Sequence, residues 1–197
     1  VLGETLITGI GQGYTQTTPL QLCLMTAQIA NGGYKIKPKI IVNDDPLSLE
    51  DAKNAMKIQS LKKPNMKLLN DPKNIKIVQE AIFSSTNERY GTSYRSRIDD
   101  PKYQFAGKTG TAQVKRISKR ERELDLKLEQ IPYKDRDHAL YVAYGPYKNP
   151  RYALSIIVEH GGSGSKAAAP MAKELFKLII DRDELRDKQS NFENINI

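Results

Sequence analysis

Two apolar runs near the C-terminal end of the chain, separated by a turn-rich hexapeptide, constrain the fold most. Residues 138–144 and 151–159 are rich in aromatic and β-branched side chains. The hexapeptide between them, 145–150, begins with Gly-Pro and ends with Asn-Pro. Strand-like runs joined by residues that favour turns predict a β-hairpin. The chain is therefore expected to contain an antiparallel sheet.

Three helices are predicted around this hairpin. Thr18 and Asp71 each stand before a proline, the pattern of a helix cap followed by the first helical residue. The first helix is expected to end at Ala30, before Asn-Gly-Gly, and the second at about Thr86. The third carries apolar residues at helical spacing: Ala168, Met171, Ala172, Leu175 and Ile179. Because a strand over 103–114 precedes the hairpin, the order of elements predicts an α+β fold, with helices packed on a mainly antiparallel sheet.

The remaining segments are predicted to be irregular, within a single domain that spans residues 1–181. Residues 1–17 are expected to form a loop and 34–42 an extended edge segment. Residues 43–70 and 115–137 are interpreted as surface insertions, and 182–197 as a polar tail that frays. The second insertion holds one possible helical stripe, made of Ile117, Leu124, Leu128 and Ile131.

Charge and cysteine content exclude several functions. The formal net charge is +8, but Lys and Arg are interleaved with Asp and Glu, and no nucleic-acid motif is found, so no nucleic-acid partner is predicted. Cys23 is the only cysteine and is expected to be a small core residue. His138 and His160 lack metal-ligand spacing, His138 is expected to be structural, and neither a metal nor a cofactor is predicted.

The chain opens without methionine, signal peptide or membrane span, and is expected to be a piece of a longer protein.

One motif predicts chemistry, the run 105–113, Phe-Ala-Gly-Lys-Thr-Gly-Thr-Ala-Gln. On a strand, Lys108, Thr109 and Thr111 are expected to project together and offer a cation and hydroxyl groups to a carboxylate. Gly110 has no side chain, so another backbone can approach closely and a peptide can add as a further strand. The N–H of Thr111 can then bind a developing oxyanion. Taken alone, the three residues Lys-Thr-Gly are better explained as a glycine-kinked strand with an exposed lysine.

Two other motifs fail on spacing. Gly107-Lys108-Thr109 resembles the end of a phosphate-binding loop, but position 102, where that loop requires glycine, is lysine. The glycines at 9, 11 and 13 resemble a dinucleotide fingerprint, but the third required glycine is Tyr14.

The surroundings of the Lys-Thr-Gly run resemble class B penicillin-binding proteins. Residues 106–113 are similar to the third active-site motif of that family. The ending 164–170 is similar to the elongation-type penicillin-binding protein 2 group. The resemblance covers residues 3–181, with the motifs in family order. Further matching segments are 9–14, 18–21, 30–33, 137–139, 143–146 and 158–162.

This resemblance implies a transpeptidase or β-lactamase-like fold with a five-stranded sheet between helices. It implies serine acyl transfer on peptidoglycan stem peptides ending in D-Ala-D-Ala, during cell-wall elongation. Lys108, Thr109, Gly110 and Thr111 would form the substrate-binding strand, with the Thr111 N–H in the oxyanion hole. β-Lactams and membrane proteins of the elongation complex are the implied partners. The implied location is the periplasmic or extracytoplasmic face of the inner membrane, with the anchor outside this chain.

The nucleophile is expected to lie outside the chain. Ser60 and Ser163 match the letters Ser-x-x-Lys, but each falls in a loop rather than at the start of a helix. Ser85 begins a Ser-x-Asn sequence. In the family both motifs precede the segment that resembles residues 9–14, so these three serines are interpreted as chance matches. The chain is therefore expected to be incomplete at its N-terminus and inactive alone.

Three alternatives remain open from the sequence. The first is a non-catalytic transpeptidase-like domain that binds a partner protein. The second is a serine β-lactamase or β-lactam sensor, which shares the Lys-Thr-Gly motif. The third is a basic nucleic-acid module, for which only the net charge speaks.

Overall fold

The computed structural model describes residues 2–38, 67–68, 71–115, 124 and 126–195. Within these residues, three strands form one antiparallel sheet in the order β1-β2-β3. The strands are β1 (Ala106–Ala112), β2 (His138–Gly145) and β3 (Tyr152–Val158). The predicted hairpin is confirmed, since β2 pairs with β3 from Gly145 opposite Tyr152 onward. The described residues thus supply three of the five strands that the family resemblance implies.

Four α-helices accompany this sheet in the described part of the chain, and the three that follow residue 18 pack against it, which confirms the α+β prediction. They are α1 (Leu2–Gly9), α2 (Pro19–Ala30), α3 (Pro72–Asn87) and α4 (Ala169–Ile195). Both predicted caps form: Thr18 Oγ1 accepts from the N–H of Gln21, and the Asp71 carboxylate accepts from the N–H of Lys73. A π-helical turn, Gly164–Ala168, leads directly into α4.

The core lies between the sheet and α4. Phe105 stacks on Phe176 of α4 with 4.8 Å between ring centroids, and meets Tyr141 of β2 edge-on. Helix α2 also packs against β2 and β3, where Cys23 Sγ donates to the carbonyl of Ala153 at 3.4 Å. Burial raises the pKa of this thiol, in keeping with its expected role as a small core residue. The buried cluster consists of Ile98, Phe105, Tyr141, Ala143, Ala168, Ala169, Ala172, Phe176 and Ile180.

A buried hydroxyl joins α3 to β1. Thr86 Oγ1 accepts from the N–H of Gly107 at 3.0 Å and donates to the carbonyl of Gly107 at 2.9 Å. The Tyr141 hydroxyl lies 2.9 Å from Thr86 Oγ1 and donates to Ser93 Oγ. Burial raises the pKa of Tyr141, so its phenol stays protonated and remains a donor. A Cβ at Gly107 would stand 2.3 Å from the Tyr141 hydroxyl, so only glycine fits there.

Residues 2–9 form a helix, so the prediction of a loop over 1–17 is wrong there. The glycines that suggested a loop, Gly3 and Gly9, stand near the two ends of α1. Between them stand Glu4 and Leu6, which favour a helix, and Glu4 lies in the first turn, where a negative charge is favoured.

The single helical stripe suggested within 115–137 is interrupted in the described part of that segment. Leu124 is helical, but two separate 3₁₀ turns follow it, Leu128–Gln130 and Tyr133–Asp135. Ile131 between them is extended because it precedes a proline, which disfavours the helical conformation. Ile117 lies outside the described residues.

Helix α4 runs through most of the segment predicted as a polar tail, because it continues to Ile195. That the end of this segment frays stays a prediction. Residues 182–197 contain neither glycine nor proline. Lys102 Nζ pairs with Asp181 and Glu184, at 3.1 and 2.8 Å, at the point where the tail begins. The hydrogen bond from Tyr103, together with Lys102, holds the pKa of Asp181 below its usual range.

The edge segment predicted over 34–42 is described only in part. Tyr34 forms an isolated antiparallel bridge with Lys67. Residues 39–42 and most of the 43–70 insertion lie outside the described residues.

We expect Thr86→Val to lower the free energy of unfolding by about 1–3 kcal/mol, because the buried N–H and carbonyl of Gly107 lose their partner. Urea denaturation monitored by circular dichroism measures this change. Thr86→Ser keeps the hydroxyl and serves as the control. Equal stability of the valine variant and the wild type would contradict the assignment.

Candidate active site

The Lys-Thr-Gly run forms the middle of β1, which is an edge strand in the described part of the sheet. Lys108 pairs with Val142, Thr109 with Tyr141 and Thr111 with Ala139. Because side chains alternate along a strand, Thr109 and Thr111 share one face and Lys108 projects from the other. The expectation that all three side chains leave the strand on the same face is therefore wrong.

The ammonium group of Lys108 nevertheless reaches Thr109. Lys108 Nζ lies 3.3 Å from Thr109 Oγ1 and 2.9 Å from the Thr109 carbonyl oxygen, which is reached around the strand edge. The contact is exposed to solvent. A cation and a hydroxyl thus meet at the rim of β1, and both can donate to a carboxylate.

The outer edge of β1 carries backbone groups that no other strand of the described sheet pairs with. In an antiparallel ladder, alternate residues point both their N–H and their C=O to the same edge. Gly107 points to the outer edge, where Thr86 binds both groups. Thr109 and Thr111 therefore point there too. Their carbonyls accept from Lys108 Nζ at 2.9 Å and from Gln12 Nε2 at 3.0 Å. Side chains, rather than a strand, occupy the positions that an added peptide would use.

Gly110 is approached from behind by another stretch of backbone. A Cβ placed on Gly164 would lie 2.8 Å from the Gly110 carbonyl oxygen and 2.4 Å from that of Leu140. The π-helical turn that begins at Gly164 therefore rests directly on the β1–β2 ladder. This close approach depends on the missing side chain of Gly164. A Cβ built on Gly110 would meet only Leu140 Cβ, at 3.3 Å, so the backbone approach expected at Gly110 itself stays a prediction.

The three serines with misleading motifs occupy different surroundings. Ser163 Oγ lies 3.0 Å from Ser165 Oγ, and Ser85 Oγ lies 3.4 Å from Thr92 Oγ1. Ser60 is outside the described residues. That none of them is the nucleophile stays a prediction.

The two histidines lie together at one end of the hairpin. His138 opens β2, and its Nδ1 accepts from the backbone N–H of His160 at 2.9 Å. This arrangement fits the structural role expected of His138.

Sequence reasoning missed several residues around the strand. Gln12 is separated from Thr111 by 99 positions, and no local pattern predicts their contact. Thr92, whose Oγ1 lies 3.2 Å from Thr109 Oγ1, falls in a segment that reads only as a polar loop. The sole signal at this site is the run Gly91-Thr92-Ser93, whose small residues permit a tight turn.

The comparison with protein families agrees with this geometry. The model of the penicillin binding protein transpeptidase domain matches residues 1–177. The chain belongs to this family. Its transpeptidase fold accounts for the sheet and helices described above, and the prediction of a class B penicillin-binding protein related to penicillin-binding protein 2 is confirmed.

Curated relatives of this transpeptidase domain carry the name peptidoglycan D,D-transpeptidase MrdA. The protein from Salmonella typhimurium strain LT2 is 33% identical over 181 residues, which are 91% of this chain and 27% of the relative. The protein from Acinetobacter baumannii is 35% identical over 179 residues, which are 88% of this chain and 24% of the relative. The chain therefore spans about a quarter of the length of these relatives.

Solved structures show the same transpeptidase fold. Pseudomonas aeruginosa PBP2 in complex with WCK 5153 is 36% identical, with a TM-score of 0.61, and the match covers 88% of this chain and 31% of that one. Helicobacter pylori PBP2 in complex with MreC is 32% identical, with a TM-score of 0.65, and the match covers 90% and 28%. Among the described residues of this chain, no helix has the length and apolarity of a membrane span.

We expect Gly164→Ala to destabilise the domain by about 1–3 kcal/mol, because the added methyl group meets two backbone carbonyls. Thermal unfolding measures this loss. Gly3→Ala is the matched control: a Cβ at Gly3 meets nothing within 4 Å, and alanine is favoured in the helix. Equal melting temperatures for the two variants would show that β1 is not supported from behind at Gly110.

Proposed function

We propose that the protein containing this chain is a peptidoglycan D,D-transpeptidase that cross-links stem peptides during cell-wall elongation. The observation that carries the proposal is the outer edge of β1, where Lys108, Thr109 and Thr111 offer a cation, hydroxyl groups and backbone groups together. The names of the relatives, peptidoglycan D,D-transpeptidase MrdA, support it.

The chain's part in the reaction is to hold the acyl donor. A stem peptide lies along the outer edge of β1 and hydrogen-bonds to the backbone of Thr109 and Thr111 as an added strand. Lys108 Nζ and the hydroxyls of Thr109 and Thr111 bind its terminal carboxylate. Gly110 sits between the two threonines, held from behind by Gly164.

The chemical step is acyl transfer. A serine Oγ attacks the carbonyl carbon of the penultimate D-Ala, while its proton passes to a base and then to the leaving amine. The last D-Ala departs as the free amino acid, and the acyl group passes to an amine on a neighbouring stem, which restores the serine. As each tetrahedral intermediate forms, the N–H of Thr111 donates to the oxyanion. We place the serine and its lysine base outside these 197 residues, so that this chain alone is inactive.

Partners and location follow from the same proposal. The Pseudomonas aeruginosa relative was solved with WCK 5153 and the Helicobacter pylori relative with MreC. We propose that the full-length protein is acylated by β-lactams and assembles with membrane proteins of the elongation complex. We place its catalytic body on the periplasmic or extracytoplasmic face of the inner membrane, held by an anchor outside this chain.

We expect a fluorescent penicillin to label covalently a longer version of the protein that includes about 100–150 upstream residues, the size of a typical domain. The chain of 197 residues should stay unlabelled, because it lacks the nucleophile. Fluorescence on a denaturing gel, with folding checked by circular dichroism, measures both.

Labelling of the short chain would instead identify Ser60 or Ser163 as the nucleophile. Failure of both folded proteins to label would favour a non-catalytic partner-binding domain. In the longer protein, Lys108→Ala should slow labelling about tenfold or more, because a charge-assisted hydrogen bond contributes about 1.5–3 kcal/mol.

A further inference from the structure

We infer that Thr92 is a positioning residue that orients the Thr109 hydroxyl toward the substrate carboxylate. The inference rests on the proposed function and extends it to a loop that neither motif nor spacing marks. Three hydroxyl groups stand in a row: Ser85 Oγ lies 3.4 Å from Thr92 Oγ1, which lies 3.2 Å from Thr109 Oγ1. The row begins on α3 and ends at the rim of β1.

The turn that carries Thr92 is held against α3 by contacts that do not involve its own side chain. The N–H and the hydroxyl of Ser93 both donate to the carbonyl of Ser85, at 3.1 and 3.0 Å. A Cβ at Gly91 would lie 2.3 Å from the same carbonyl oxygen, so the turn closes fully on the helix end. Ser93 is itself buried, and its hydroxyl joins the network of Thr86 and Tyr141. The position of Thr92 is therefore set by its neighbours in the turn. Its own hydroxyl is not needed to hold the turn in place and can have another role.

The hydrogen bonds of Thr109 show what that role is. A threonine hydroxyl has one hydrogen to donate and two lone pairs that accept. Lys108 Nζ, which can only donate, faces Thr109 Oγ1 at 3.3 Å and uses one lone pair. If Thr92 donates to the second lone pair, the hydrogen of Thr109 has no acceptor left within the row. That hydrogen then points at whatever acceptor binds beside the strand.

A carboxylate makes this direction the favourable one. It accepts only, so Thr109 must donate to it, Thr92 to Thr109 and Ser85 to Thr92. Hydrogen bonds in such a chain polarise one another, and the bond to the charged end gains most. Were the row reversed, Thr109 would present a lone pair to the anion. Thr92 thus helps to select substrates that carry a negative charge at this position, whereas a neutral acceptor, whose hydrogen bond to Thr109 is weaker, gains less from it.

The test compares two penicillins on the longer protein that contains the nucleophile: one with its free carboxylate and one with that carboxylate as a methyl ester. Rates of acylation are measured by competition with a fluorescent penicillin. We expect Thr92→Val to slow acylation by the free acid about fivefold, the effect of losing one hydrogen bond, and to slow acylation by the ester less, by about twofold at most. Thr92→Ser should restore the rate with the acid. Thr17→Val, on the exposed loop before α2, is the matched control and should leave both rates unchanged.

The comparison between acid and ester separates positioning from folding. Equal slowing with the acid and the ester, or no slowing with either, would overturn the inference while the wild-type protein is still acylated. If the wild type is not acylated by the free acid, the proposed function fails and the inference with it. Should Thr92→Val not fold, Ser85→Ala tests the far end of the row. Slowing of about twofold with the acid, and less with the ester, supports the inference, and its absence counts against it.

Discussion

A single side-chain oxygen determines how the edge strand is presented. Thr86 Oγ1 binds both backbone groups of Gly107 inside the domain and ties the start of β1 to the end of α3. Beyond that point, the outer edge of β1 carries no further strand in the described part of the sheet. One fixed residue followed by an edge without a further strand is the arrangement that the proposed peptide binding requires. The base of the strand is held by Thr86, while the outward carbonyls of Thr109 and Thr111 are covered only by side chains.

The rest of the site depends on the same attachment. Ser93, which closes the turn after α3, joins the network through Tyr141, so the turn that holds Thr92 and the strand that holds Thr109 share one support. Lys108 and Gln12 meanwhile cover the two outward carbonyls with flexible donors. Edge strands that expose unpaired backbone tend to associate with other chains, and long polar side chains of this kind limit that tendency. Under the proposed function, the same donors would leave when a substrate peptide binds.

Local patterns in the sequence predict much of this fold because its elements begin and end with strong signals. Caps followed by proline mark α2 and α3, and a turn with two prolines marks the hairpin. Prediction fails where context outweighs composition. Glycines near both ends of α1 suggest a loop where a helix forms. Pro132 interrupts the helical pattern that includes Ile131. Ion pairs from Lys102 to Asp181 and Glu184 hold the start of the polar tail, which composition alone does not predict.

At the site, the strand itself is predicted, because lysine, threonine and glycine adjoin in the sequence. Its supports are not, because Gln12, Thr86 and Gly164 reach it from distant parts of the chain.

The glycine contact behind the strand has a consequence for how the domain can evolve. Most packing between elements is made by side chains, so a mutation can loosen it, tighten it or shift it. Where Gly164 rests on Gly110 and Leu140, the surfaces in contact are main chain, and no residue has fewer atoms than glycine. Substitution at Gly164 can only crowd the contact and never relax it. The distance between the strand and the turn behind it is therefore hard to change as the surrounding sequence evolves. Variation in ligand preference has to arise at the exposed edge of the strand instead.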